Sequence, residues 1–244
     1  MFVPRIFPQK LQHQHQHLPK EFSLLVWNVH KENLRSDFQT RLETLLQDHP
    51  SDFLIFQEAK HPKKNTAFLD GFSYAMASNI DIFQHLYGVL TAADVAFENI
   101  NSNLTHRQEL GLMTFKSMLI TQHKLANDQI LHLVNLHAIN FVSLKIFTKE
   151  LEKIKTELKA CHGPMIVGGD FNNWTKKRIK ALEAFQHALS LEKAEVHEEH
   201  HIKQIFEKPL DHIFYRDIIL TSAKAIDTQR VSDHNPIYAT FTTE

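Results

Sequence analysis

The sequence predicts an α/β fold in which two facing β-sheets are covered by helices. Three observations carry that expectation. Short apolar runs of strand length recur along the chain, a few stretches of helical periodicity lie between them, and polar residues gather where the apolar runs stop.

Taken in order, Leu24-Leu25-Val26-Trp27 and Phe53-Leu54-Ile55-Phe56 are continuous apolar runs, as expected of strands buried on both faces. Between them Ser36 and Gln39 form a capping-box pattern, followed by Phe38, Leu42, Leu45 and Leu46 at helical spacing. Further strands are expected at 73–78, 86–91, 110–115, 130–136, 164–168, 211–215, 217–221 and 236–241. Leu144, Phe147, Leu151, Ile154 and Leu158 recur at helical spacing behind Ser143, with Gly163-Pro164 as the stop signal. Another helix is expected from Thr175 to about Leu189.

With 244 residues, 43% of them hydrophobic, the chain can bury the core of one large domain, expected over residues 21–244. It has no internal repeat and no Pro/Gly/Ser-rich linker. Met1 to Lys20, with its Gln-His alternation from Gln12 to His17, reads as a mobile, solvated lead-in. It lacks the continuous apolar core and small-residue cleavage site of a signal peptide, and no apolar run reaches membrane-spanning length, so a cytoplasmic location is expected. Lys+Arg (27) and Asp+Glu (28) nearly cancel, so no global field points to nucleic acid or membrane. The single cysteine, Cys161, excludes an internal disulfide and a thiolate metal cluster and suits a reducing compartment.

The chemistry is concentrated at strand ends. Val167-Gly168-Gly169-Asp170-Phe171-Asn172 ends an apolar run in two of the six glycines, where the backbone is expected to approach a phosphate closely. Asn28, Glu58 and His137 likewise follow apolar runs, and side chains at the ends of adjacent strands can converge on one crevice. With Asn172, Asp211, Asp233 and His234 they form an ordered set. Its carboxylate and amide oxygens suit Mg²⁺ or Mn²⁺, and its imidazoles suit proton transfer near neutral pH.

The runs Trp27-Asn28-Val29, Phe56-Gln57-Glu58, Gly111-Leu112-Met113-Thr114-Phe115-Lys116-Ser117, Asn135-Leu136-His137-Ala138, Gly168-Gly169-Asp170-Phe171-Asn172, Leu210-Asp211-His212-Ile213 and Ser232-Asp233-His234-Asn235-Pro236 resemble the endonuclease/exonuclease/phosphatase superfamily, the deoxyribonuclease I-like proteins. The resemblance spans roughly residues 22–242 in order. Trp27-Asn28-Val29-His30-Lys31 and Pro209-Leu210-Asp211-His212-Ile213-Phe214-Tyr215-Arg216 further resemble a bacterial branch typified by the protein YafD, which names no substrate.

This resemblance implies a four-layer α/β sandwich of two mixed sheets with the site at one end. It implies a Mg²⁺-dependent phosphoesterase, Mn²⁺ serving as a substitute, with Glu58 as principal metal ligand, Asn28 beside it and Asp233 nearby. Asp170 and Asn172 would hold the scissile phosphate and the attacking water, Asp211 would orient His234, and His137 would donate to a phosphoryl oxygen or the leaving group. Abasic-site endonucleases of the family tend to carry a Tyr where His137 stands, which lowers a repair role of that kind. A phosphodiester is favoured over a monoester, nucleic acid narrowly over a phospholipid or phosphoinositide, and a monomer over an assembly.

Lys31, Lys60, Lys63, Lys64, Lys176, Lys177 and Arg178 follow the strand-end residues closely and, if their loops converge, rim the site for a polyanion; Arg107 is a weaker phosphate contact. Two rival classes compete. His197-Glu198-Glu199-His200-His201 matches a zinc-hydrolase signature through His197 and His201, but its charged surroundings lack the apolar periodicity of a supporting helix, so it reads as a solvated loop or strand edge. A catalytically silent binding module would be expected to have lost some of the ordered set, which is intact.

Overall fold

The computed structural model describes residues 7–14, 17–64, 69–102, 117–140 and 142–243. The expected strand at 110–115 and the candidate Arg107 lie outside them. In chain order the elements are β1 (Gln9–Lys10), β2 (Glu21–Asn28), α1 (Ser36–Asp48), β3 (Phe53–Pro62), β4 (Ser73–Ile82), β5 (His85–Ala93), β6 (Asn99–Ser102), β7 (Ser117–Lys124) and β8 (Ile130–His137). There follow α2 (Leu144–Leu158), β9 (Met165–Asp170), α3 (Lys176–Ala188), β10 (Glu192–Lys193), β11 (Gln204–Ile205), β12 (Lys208–Pro209), β13 (Asp211–Arg216), β14 (Ile219–Ala225) and β15 (Ile237–Thr242).

Seven strands form one mixed sheet in the order β1-β4-β5-β3-β2-β15-β14, and six form the other, β10-β13-β9-β8-β7-β6. Within each, one central pair is parallel, β2 with β3 and β8 with β9. Alternation along the strands explains the layering, because successive side chains point to opposite faces. Leu24, Val26, Phe53 and Ile55 face Leu131, Leu133, Ile166 and Ile213 of the second sheet. Leu25, Trp27, Leu54 and Phe56 point outward against Phe38, Leu42 and Leu45 of α1. Val134, Leu136, Met165 and Val167 pack against Phe147, Leu151, Leu182 and Phe185 of α2 and α3. The result is helix, sheet, sheet, helices: the four-layer sandwich.

A polar bridge crosses the inner layer. Gln57 Nε2 donates to Asn135 Oδ1 at 2.8 Å, and Asn135 Nδ2 donates to the carbonyls of Leu90 and Phe56. Both side chains are fully buried.

Several local expectations are corrected. Ser36 does not cap α1: Arg35 takes the cap position, and its guanidinium ties down the first turn through Asp37 and Glu32. Helix α2 stops at Leu158, well before Gly163-Pro164, and Arg216 satisfies the carbonyls of Cys161 and Gly163 in the intervening turn. Thr175 does cap α3, accepting from Arg178 N. The strand expected at 217–221 begins at Ile219, after a left-handed turn at Asp217.

Within the lead-in, Gln9–Lys10 pair with β4 as an edge strand, and Leu18 is buried in the core between the sheets. Gly168 and Gly169 do not leave room for a ligand. A Cβ on Gly168 would stand 2.7 Å from Ile55 of the facing sheet, and one on Gly169 would stand 1.9 Å from the Leu136 carbonyl oxygen. They let backbone and sheet approach each other. Among the described residues no helix is long and apolar enough to cross a membrane.

Candidate active site

At one end of the sandwich the strand ends enclose a cavity of about 470 Å³. Glu58, His137, Asp170, Asn172, Asp233 and His234 line it, so six of the strand-end candidates meet in one place. Asn28 and Asp211 stand directly behind, each hydrogen-bonded to a lining residue.

The seven-stranded sheet supplies Glu58 through a bulge. The register of β3 slips between Phe56 and Ala59, and Glu58 sits at φ 51°, a left-handed conformation unusual for a non-glycine residue. The loop after β2 is held to this bulge by Val29 N on the Gln57 carbonyl, Lys31 N on the Glu58 carbonyl, and Asn33 bonded both ways to the Lys60 backbone. It carries His30 and Lys31, also left-handed, into the cavity. Lys31 Nζ donates to Glu58 Oε2 at 2.6 Å, and His30 Nδ1 lies 3.8 Å from the same oxygen. Burial alone would raise the Glu58 pKa; His137, Lys31 and His30 outweigh it and hold the pKa below the usual value. Asp233 is the parallel case. Burial opposes its charge, but Lys203, His234 and His30 keep its pKa low, with Lys203 Nζ in direct contact.

The six-stranded sheet supplies the buried half. Asp170 ends β9 opposite Asp211 at the start of β13. Asp170 Oδ1 accepts from Asn172 N at 3.0 Å, which closes a tight turn at φ 47°, and Oδ2 accepts from Asn28 Nδ2 at 3.0 Å. Burial, then the charge of Asp211, push the Asp170 pKa up against the opposing pull of His137 and His234. His137 Nε2 stands between the halves, 3.7 Å from Asp170 Oδ2 and 3.8 Å from Glu58 Oε1.

His234 Nδ1 lies 2.7 Å from Asp211 Oδ2. An ionised carboxylate only accepts, so Nδ1 carries the proton and Nε2 of the neutral ring is left with its lone pair. That Nε2 faces Asp170 Oδ2 at 3.8 Å. Burial would lower the His234 pKa, but Asp211, by charge and hydrogen bond, and Asp170 raise it above the ordinary histidine value. The loop bearing His234 is pinned to β2: Trp27 Nε1 donates to the His234 carbonyl, and Ser232 Oγ donates to the Asn28 carbonyl.

Asp170, Asp211 and His234 each offer a potential metal-ligand atom within 4.8 Å of one another. Asp211 Oδ2 and His234 Nδ1 hold each other, while Asp211 Oδ1 is buried with no hydrogen-bond partner among the described residues.

The basic rim is corrected at Lys31, Lys63 and Arg178. Lys31 is inside the cavity rather than around it, Lys63 pairs with Asp81, and Lys60 and Lys176 do not line the cavity. Arg178 is buried; it donates to the carbonyls of Asn172 and Val142 and lies over the rings of Phe147 and Trp174. His30 and Lys203 also line the cavity, beyond the strand-end candidates. His30 had a signal, two positions after Asn28, whereas Lys203 lies 30 residues from its partner.

The zinc signature does not form an α-helix. His197 bridges to Lys224 in extended backbone, Glu198 is left-handed, and Glu199–His201 is a single 3₁₀ turn. The His201 carbonyl accepts from Asn235 Nδ2, which gives this segment a supporting role beside the His234 loop.

Residues 25–234 match the model of the Endonuclease/Exonuclease/phosphatase family. The UPF0294 protein VP2298 of Vibrio parahaemolyticus, of the YafD-like group, is 34% identical over 91% of this chain and 78% of its own. An endonuclease/exonuclease/phosphatase family protein from Bacteroides thetaiotaomicron superposes with TM-score 0.70 at 14% identity, covering 92% of this chain and 98% of that one. D. rerio TDP2 complexed with single-strand DNA product gives TM-score 0.66 at 18% identity, covering 91% and 99%. The fold, the strand-end residues and the match along most of the sequence agree: this chain belongs to the endonuclease/exonuclease/phosphatase family.

Proposed function

We propose that the chain is a Mg²⁺-dependent phosphoesterase that hydrolyses a phosphodiester, with nucleic acid as its favoured substrate. The observation that carries the reading is His234, fixed by Asp211 through Nδ1 and with its Nε2 turned toward buried Asp170.

The donor set fits a hard divalent ion. Glu58 and Asp233 present carboxylate oxygens to the cavity, and Asn172 Oδ1 is a buried polar atom with no hydrogen-bond partner. Glu58 would hold the ion with Asp233 nearby; Asn28 has one lone pair to spare, since its Oδ1 already accepts from His30 N. When bound, the ion neutralises negative charge that develops on the phosphoryl oxygens.

The chain's own groups do the rest. Asp170 and Asn172, locked together by their turn, hold the attacking water and the scissile phosphate. Two groups are positioned to take the water's proton, His234 Nε2 and the Asp170 carboxylate, and Asp211 stabilises the imidazolium that results in the first case. His137, between Glu58 and Asp170, donates to a phosphoryl oxygen or the leaving group. Support for nucleic acid comes from the fold neighbour holding a single-strand DNA product and from exposed Lys176 and Lys177, which follow Asn172 within five positions of sequence.

The test is nicking of supercoiled plasmid with Mg²⁺, run beside His234→Ala. Nicking by the parent chain alone, stopped by chelation and restored by Mg²⁺ or Mn²⁺, is the expected result. Hydrolysis of phospholipid or phosphoinositide without nicking would move the reading to the lipid branch of the same chemistry. Full activity in His234→Ala would remove the assignment of that residue.

A further inference from the structure

Phe206 is 79% exposed. It sits at the tip of a two-residue hairpin between β11 and β12, where Gln204 pairs with Pro209 and Ile205 with Lys208. Both turn residues, Phe206 (φ 51°) and Glu207 (φ 60°), have positive φ, the combination of a type I′ turn that Asn-Gly adopts with little strain. A bulky residue is unusual in this left-handed position. The preceding residue, Ile205, lines the cavity.

Facing it is Trp174, two residues after Asn172, with ring centroids 6.1 Å apart. Trp174 is fixed from two sides. Its Nε1 donates to Asn140 Oδ1 at 3.0 Å, Asn140 itself lines the cavity, and the Arg178 guanidinium lies 5.2 Å from its ring. Exposed Lys176 and Lys177 follow Trp174, and exposed Lys208 follows the hairpin turn. An aromatic pair flanked by lysines beside a phosphate-handling cavity matches the chemistry of a base attached to a phosphodiester.

Resting on the phosphoesterase reading, we propose that Phe206 and Trp174 form a stacking subsite for the nucleobase next to the scissile phosphate of a single-stranded nucleic acid. Phe206 is the exposed half of the pair; Trp174 is the anchored half.

The test measures binding in the Asp170→Asn background with Mg²⁺ present, so that the strand is not consumed. The probes are a labelled oligothymidylate and an oligomer of equal length built from abasic tetrahydrofuran units. The base-bearing strand should bind roughly 5- to 100-fold more tightly, the range of one base–aromatic stack. Phe206→Ala should abolish that preference, Phe206→Trp should retain it, and oligothymidylate should quench Trp174 fluorescence, read against Trp174→Phe. Phe83, 88% exposed at the tip of the β4–β5 hairpin, is the control: Phe83→Ala should leave the preference intact.

Equal binding of the two oligomers, or a preference that survives in Phe206→Ala, overturns the subsite. So does binding to phosphatidylglycerol vesicles that is lost in both Phe206→Ala and Phe83→Ala, with no base preference; that result assigns the ring to a membrane surface. Mg²⁺-dependent cleavage of both oligomers by the parent chain without base preference would sink the subsite and spare the phosphoesterase reading. Base-preferring binding with no cleavage of either would do the reverse.

Discussion

The four carboxylates around the cavity are of two kinds, divided by sheet. Glu58 and Asp233, on the side of the seven-stranded sheet, reach solvent and each holds a lysine. Asp170 and Asp211, on the six-stranded sheet, are buried, and their ion partners among the described residues are histidines. Environment sets their behaviour: the solvated pair has pKa values held low, and Asp170 is pushed up. The difference teaches that one half of the site is a standing negative charge held by ammonium groups at the solvent edge. The other half is a buried pair of carboxylates held by histidine.

Mutation should split the halves most sharply. Asp170→Ala should lower turnover by roughly 10²–10⁴-fold at any Mg²⁺ concentration. Glu58→Gln should instead raise the Mg²⁺ needed for half-maximal rate by about 10- to 100-fold. Rate against Mg²⁺ concentration, with circular dichroism to confirm folding, measures both, and superimposable profiles would erase the division.

A second prediction concerns pH. His234 has a folded-state pKa raised above its unfolded value, so its stabilisation is fully present below the ordinary histidine pKa and fades as pH rises through the raised one. Asp170, also raised, acts in the same direction at lower pH. Glu58 and Asp233 are depressed, so their contribution is present above the ordinary carboxylate range and is lost as pH falls through their lowered values. Thermal melts across pH should therefore show His234→Gln flattening the alkaline limb of the stability curve and Glu58→Gln flattening the acidic limb. The opposite pattern would reverse the assignment.

The smallest effect is expected at Lys31. Lys31→Gly removes a partly exposed ion pair worth about 0–1 kcal/mol and relieves a left-handed lysine costing about 1 kcal/mol, so stability should move by less than about 1 kcal/mol. Mg²⁺ should bind several-fold more tightly once Glu58 has lost its ammonium. Urea denaturation and calorimetric Mg²⁺ titration check the two parts.

What the sequence disclosed follows from what burial does to residue choice. Strands such as β2, β3 and β9 are apolar on both faces, so their ends, and the polar residues just past them, were visible as abrupt changes. Strand β7 was missed because two of its buried residues are polar. His123 bonds to Thr121 Oγ1 and to the Ala96 carbonyl, and burial pushes its pKa down to about 4, leaving a neutral ring in the core. Arg178 looked like a rim cation because charge shows in a sequence and the aromatic ring beneath it does not. Lys203 was invisible for another reason: its pairing with Asp233 depends on loop placement, which no local pattern encodes.

The Gln57–Asn135 bridge has a consequence for the dimensions of the site. Apolar attraction has no preferred direction, so by itself it resists slip between two sheets less sharply than a directional bond does. A hydrogen bond fixes distance and angle and forbids such slip. Gln57 precedes Glu58 by one residue and Asn135 precedes His137 by two, so the amide pair acts as a dowel driven through both sheets just behind the mouth. The gap between the solvated and buried carboxylates is thus a machined tolerance, set from inside the sandwich by two uncharged side chains that never touch the cavity.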